Sequence, residues 1–176
     1  MTEGAAPGAP LILTAELPPD LQRWANALRQ AHFPPERNHL GAHVTLFHAL
    51  PAQVEEELRS LLARLAGDTS PVVARLEGVM NLGRGTALKL ASPVMLALRA
   101  RIAEHFHGML TAQDSHTPRL HVTIQNKVAP AEAKALQAAL AGTIPMRDFA
   151  FPGLALFRYA GGPWEPVRRF AFRGRA

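Results

Sequence analysis

Two stretches of this chain carry the same chemistry, His43-Val44-Thr45-Leu46 and His121-Val122-Thr123-Ile124. Alternate side chains of a β-strand share a face, so each stretch sets an imidazole and a hydroxyl on one side and two aliphatic groups on the other. No other His-x-Thr occurs in the chain. Brought together, the two pairs supply two proton-transfer groups with an ordinary pKa of about 6.5 and two hydroxyl donors. That set suits reaction at phosphorus without a metal. One imidazole takes a proton from the attacking oxygen and the other gives one to the departing oxygen, while the hydroxyls bond the non-bridging oxygens as charge builds.

Strand alternation adds neighbours to each pair. Arg119 and Gln125 fall on the face of His121 and Thr123, and Phe47 on the face of His43 and Thr45. Arg119 is a candidate clamp for a phosphate oxygen, Phe47 a candidate stacking platform for a base, and Gln125 a third candidate for substrate contact.

The elements that must position these residues follow from periodicity and punctuation. A strand is expected over 11–17 and a helix from Pro18-Pro19-Asp20 to Phe33, with Leu21, Trp24, Leu28 and Ala31 at helical spacing. The first motif strand follows Pro34-Pro35, and an amphipathic helix runs from Pro51 to Ala66. Strands over 72–82 and 86–91, joined by Gly83-Arg84-Gly85, read as a hairpin. Ser92-Pro93 opens a helix to about Leu110. The second motif strand, a helix over 131–141 and strands near 146–151, 154–159 and 167–172 complete the chain. The order helix, motif strand, helix, hairpin thus occurs twice, over about 18–91 and 92–174. The expected fold is α+β, a bilobal, pseudo-two-fold duplicated unit with two antiparallel sheets, outer helices and a central cleft. It occupies residues 11–176 as a single domain.

Composition narrows the class. The 176 residues, 48% hydrophobic and 19% charged, are those of an ordinary globular chain. The absence of cysteine excludes disulfides, thiolate nucleophiles and Cys-ligated metals. Residues 1–10 lack a basic or apolar leader and read as a flexible arm. No run approaches the roughly 18 apolar residues of a membrane helix, so a cytoplasmic protein with no membrane partner is expected. The net charge of +5 favours polyanionic partners. Arg84, Lys127, Arg158, Arg168 and Arg169 are basic groups able to track an RNA backbone, and Trp164 and Tyr159 can stack or pack the last hairpin.

The paired motifs, with their flanking helices and closing hairpins, resemble the 2H phosphoesterases, within them the 2′-5′ RNA ligase-like group that includes RNA 2′,3′-cyclic phosphodiesterases. The resemblance spans nearly all of the chain after residue 10. It implies that His43 and His121 are the catalytic pair and that Thr45 and Thr123 bind the substrate phosphate. It also implies hydrolysis of an RNA or nucleotide 2′,3′-cyclic phosphate to a 2′-phosphate, or action on a 2′-5′ linkage, with no cofactor and no metal. The duplicated cleft is complete within one chain, so a monomer is expected. Two rival readings remain on the sequence. One is a non-catalytic RNA-binding module on the same fold, and the other a metallohydrolase drawing ligands from His39, His43, His48, His105, His107 and His116.

Overall fold

Proline and serine punctuation sets the helix starts. Helices α1 (Pro19–His32), α3 (Pro93–His105) and α4 (Pro130–Leu140) each begin on proline, whose missing N–H is not needed in a first turn. The Ser92 hydroxyl caps α3 by accepting from the Met95 amide at 3.1 Å. Helix α3 ends at His105 rather than near Leu110, and Gly108, at φ +86°, turns the chain where an L side chain is disfavoured. Helix α2 (Glu55–Asp68) follows a short 3-10 turn and buries Leu58, Leu61, Leu62 and Leu65. The structure, a computed structural model, describes residues 8–175. Residues 1–7 of the expected arm lie outside the described residues.

Among the described residues eight strands complete the α+β fold: β1 (Leu11–Ala15), β2 (Val44–Leu50), β3 (Val72–Asn81), β4 (Thr86–Ala91), β5 (His121–Gln125), β6 (Arg147–Phe151), β7 (Gly153–Arg158) and β8 (Glu165–Ala171). They form two antiparallel four-stranded sheets ordered β2-β1-β7-β8 and β5-β4-β3-β6. Each motif strand is an edge strand, and each pairs with the strand that precedes its helix. The second sheet is continuous in sequence, whereas the first is assembled from the two ends of the described chain. The hairpin β3-β4 therefore extends the sheet of the second motif, and the hairpin β7-β8 that of the first. The two hairpins lie in the opposite sheets from those suggested by reading each half as a closed unit.

The aliphatic backing of both motifs is buried. Val44, Leu46, Val122 and Ile124 are each at most 1% exposed, and full burial of such a side chain is worth about 1.5–3 kcal/mol. A slip of one residue would expose all four, so this burial fixes which way the histidines and threonines face.

Both motif strands bulge at the same place. Along β2, Thr45 opposes Thr14 and Phe47 opposes Leu13, leaving Leu46 without a partner. Along β5, Thr123 opposes Ala87 and Gln125 opposes Thr86, leaving Ile124 without one. An extra residue reverses the alternation beyond it. Phe47 and Gln125 accordingly turn away from their motifs into the interior, at 0% and 3% exposure. Neither is available to substrate, which corrects the period-2 reading of both.

Candidate active site

The two edge strands carrying the motifs, β2 and β5, contact one another. His43, which immediately precedes β2, and His121, the first residue of β5, are each half-buried, as are Thr45 and Thr123. The imidazoles are held in the same way. His43 Nδ1 lies 2.8 Å from the Gly41 carbonyl oxygen, and His121 Nδ1 lies 2.6 Å from that of Arg119. A carbonyl only accepts, so each Nδ1 must carry hydrogen and donate it. Each neutral ring then keeps its lone pair on Nε2. Among the described hydrogen bonds none engages the Thr45 or Thr123 hydroxyl, which leaves both donors open.

The surroundings of the two histidines differ. His43 stacks at a tilt against Trp164, ring centroids 4.8 Å apart, and Trp164 lies 5.6 Å from the Phe157 ring. With Glu16, Gln22 and Leu40 these residues line a cavity of about 260 Å³. Burial pushes the His43 pKa below its usual value. The Gly41 carbonyl opposes that shift, and the nearby Arg29, His121 and His48 reinforce it. On the other side Lys89 of β4 stands directly across from His121, and opposed residues of paired strands share a face. Lys89 and Arg119, both exposed, line a second cavity of about 260 Å³ together with Glu77. One flank of the site is aromatic and the other mainly cationic.

Two buried arginines brace the motif strands. Arg99 of α3 donates from Nε to the Leu46 carbonyl at 3.1 Å and covers the Phe47 ring at 4.1 Å. Arg29 of α1 donates from Nη1 to the Thr123 carbonyl at 2.8 Å. Asp114, 1% exposed, accepts from the His48 and Ala49 amides at 2.8 Å each. Burial would raise its pKa, but these bonds and the His48 ring hold it below the usual carboxylate value.

Gln125 has a structural role, accepting from the Thr86 hydroxyl at 3.0 Å. Among the described residues no three His, Asp or Glu side chains gather as a metal-ligand set, and His105 instead meets Glu57 at 2.9 Å. No helix is long and apolar enough to cross a membrane among those residues. Trp164, Lys89 and Arg29 are the site neighbours that motif reading passed over or left unassigned. Lys89 had a visible signal, a lone charge inside Ala87-Leu88-Lys89-Leu90-Ala91.

Among the described residues, four helices and two antiparallel four-stranded sheets, each with one motif strand at an edge, match the fold of the 2H phosphoesterases. Solved structures share the fold. The chain is similar to TT0787 of Thermus thermophilus, with a TM-score of 0.63 and 19% identity over 95% of this chain and 100% of that one. It is also similar to E. coli LigT, in a crystal structure with 3′-AMP, with a TM-score of 0.62 and 20% identity over 94% of this chain and 98% of that one. No curated protein matches in sequence. The chain belongs to the 2′-5′ RNA ligase superfamily, which matches it over residues 17–163. That membership supports an enzyme of the phosphoesterase type.

Proposed function

We propose that this protein is a metal-independent phosphodiesterase that opens RNA or nucleotide 2′,3′-cyclic phosphates to 2′-phosphates. The observation that carries the reading is the matched anchoring of His43 and His121, each Nδ1–H held by the carbonyl two residues earlier. It gives two imidazoles of fixed tautomer, each with Nε2 available for proton transfer.

The lowered pKa of His43 keeps that ring neutral near pH 7, which suits it as the base. In the proposed reaction His43 Nε2 takes a proton from water as the water oxygen attacks phosphorus. The bond from phosphorus to O3′ breaks on the opposite side, and O3′ takes a proton from protonated His121 Nε2. The Thr45 and Thr123 hydroxyls donate to the non-bridging oxygens through the five-coordinate transition state. The nucleoside 2′-phosphate leaves, and proton exchange with water resets both rings.

The reading draws support from LigT having been crystallised with 3′-AMP and from the aromatic and cationic flanks of this site. Trp164 offers a stacking face for a base, and Arg119 with Lys89 offers charge to an RNA phosphate. The same four groups also suit a 2′-5′ linkage.

The test is incubation with nucleoside 2′,3′-cyclic phosphates in EDTA, with 31P NMR of the products. Retained turnover to 2′-phosphate alone is the expected result, whereas 3′-phosphate, or loss of turnover to EDTA, would overturn it. Thr45→Val and Thr123→Val should each lower kcat about 10²–10³-fold, the usual effect of removing one oxyanion donor.

A further inference from the structure

Arg29 is 4% exposed, and its guanidinium has no carboxylate within ion-pair distance among the described residues. Its partners are neutral: Thr123 carbonyl through Nη1 at 2.8 Å, the Asn38 side-chain oxygen through Nε at 3.2 Å, and the Phe33 ring at 4.3 Å. A buried charge without a counter-charge is expensive to keep. Arg99, the matching brace on the other helix, differs in having the Asp114 carboxylate near enough to favour its charge. Arg29 is bonded to the backbone of the second motif, and its charge acts on the imidazole of the first.

We infer that Arg29 is a positioning residue whose unpaired charge, held against the backbone of the second His-x-Thr motif, is completed by the phosphate group of the ligand. The inference rests on the proposed phosphoesterase site and adds the group that makes the empty site electrostatically ready for an anion. Two effects act together. The bond to the Thr123 carbonyl holds β5 at its bulge, which orients the Thr123 hydroxyl, and the charge draws the phosphate in while disfavouring protonated His43. The charged and titratable groups around His43 are Arg29 from α1, His121 from β5, His48 from β2 and Glu16 just after β1, the last paired with Arg169 at 2.8 Å. Loss of the Arg29 charge removes one of the influences that keep the His43 pKa low, so that pKa rises.

The experiment is calorimetric titration of the folded protein with inorganic phosphate, which needs no turnover, for wild type, Arg29→Lys, Arg29→Met and Arg23→Met. Wild type should bind phosphate. Arg29→Met should weaken that binding about tenfold or more, the scale of one charge several ångströms away in a partly desolvated site. Arg29→Lys should recover most of the loss, and Arg23→Met, on the exposed face of α1, should match wild type. In turnover assays the acidic limb of kcat/KM should move to higher pH in Arg29→Met and stay in place in Arg29→Lys. Absence of phosphate binding in wild type, or equal weakening in Lys and Met, would overturn the inference and leave Arg29 as a strut for β5. Arg29-dependent phosphate binding without turnover of any cyclic phosphate would keep the inference and remove the proposed reaction.

Discussion

His43→Ala and His121→Ala should each lower kcat for a 2′,3′-cyclic phosphate by about 10²–10⁴-fold, the usual contribution of a positioned proton-transfer group. Circular dichroism and the thermal midpoint should change little, because both rings are half-buried at a sheet edge while the residues behind them carry the packing. The double variant should be scarcely slower than the worse single one. Acid and base act in one transition state, so after removal of one the other has less to contribute. Full additivity of the two losses would mean that the rings serve separate steps.

A second large effect is expected far from any proton transfer. A Cβ at Gly85 would stand 2.2 Å from the Gln125 carbonyl oxygen and 2.8 Å from the Asn126 Cα. Both obstacles are backbone, so relief requires β4 and β5 to part beside the second bulge. Gly85→Ala should therefore reach the upper end of the overpacking range, about 3 kcal/mol, or roughly 6–12 °C in Tm for a domain of this size. Turnover should fall as well, since the displaced segment carries Thr123. Gly162→Ala is the control, because a Cβ there meets nothing within 4 Å and its melting point should stay near wild type. Equal midpoints for the two variants would show that the strands separate at little cost.

The pairing of imidazole with hydroxyl on an apolar backing was readable from two tetrapeptides, because period 2 holds through Val44 and Val122. It stops holding one residue later. Nothing in Thr45-Leu46-Phe47 or Thr123-Ile124-Gln125 announces an extra residue, so Phe47 and Gln125 looked like site residues while the bulges turned them inward. The bulges depend on tertiary partners, the Leu46 carbonyl being met by Arg99 and Gln125 by Thr86.

Helix starts were legible through Pro19, Ser92-Pro93 and Pro130, each of which acts locally. The end of α3 was not, since Phe106 and Leu110 are apolar enough to suggest continuation while Gly108 breaks the helix. Strand pairing was the least legible part. The two hairpins were recognisable from Gly83-Arg84-Gly85 and Gly161-Gly162-Pro163, but no local feature says that each joins the other motif's sheet. Arg29 and Arg99 were hidden for a related reason. Arginine in a helix reads as a solvated face, and only the packing of α1 on β5 buries the first of them.

The two-histidine account is tested most directly by the pH dependence of kcat/KM on a nucleoside 2′,3′-cyclic phosphate, measured with EDTA present for wild type, His43→Ala and His121→Ala. The account predicts a bell in wild type, with its acidic limb below the usual imidazole value of about 6.5 because His43 is depressed. His43→Ala should lose the acidic limb in its residual rate. A wild-type profile with only one limb, or a bell that survives unchanged in both variants, would contradict it.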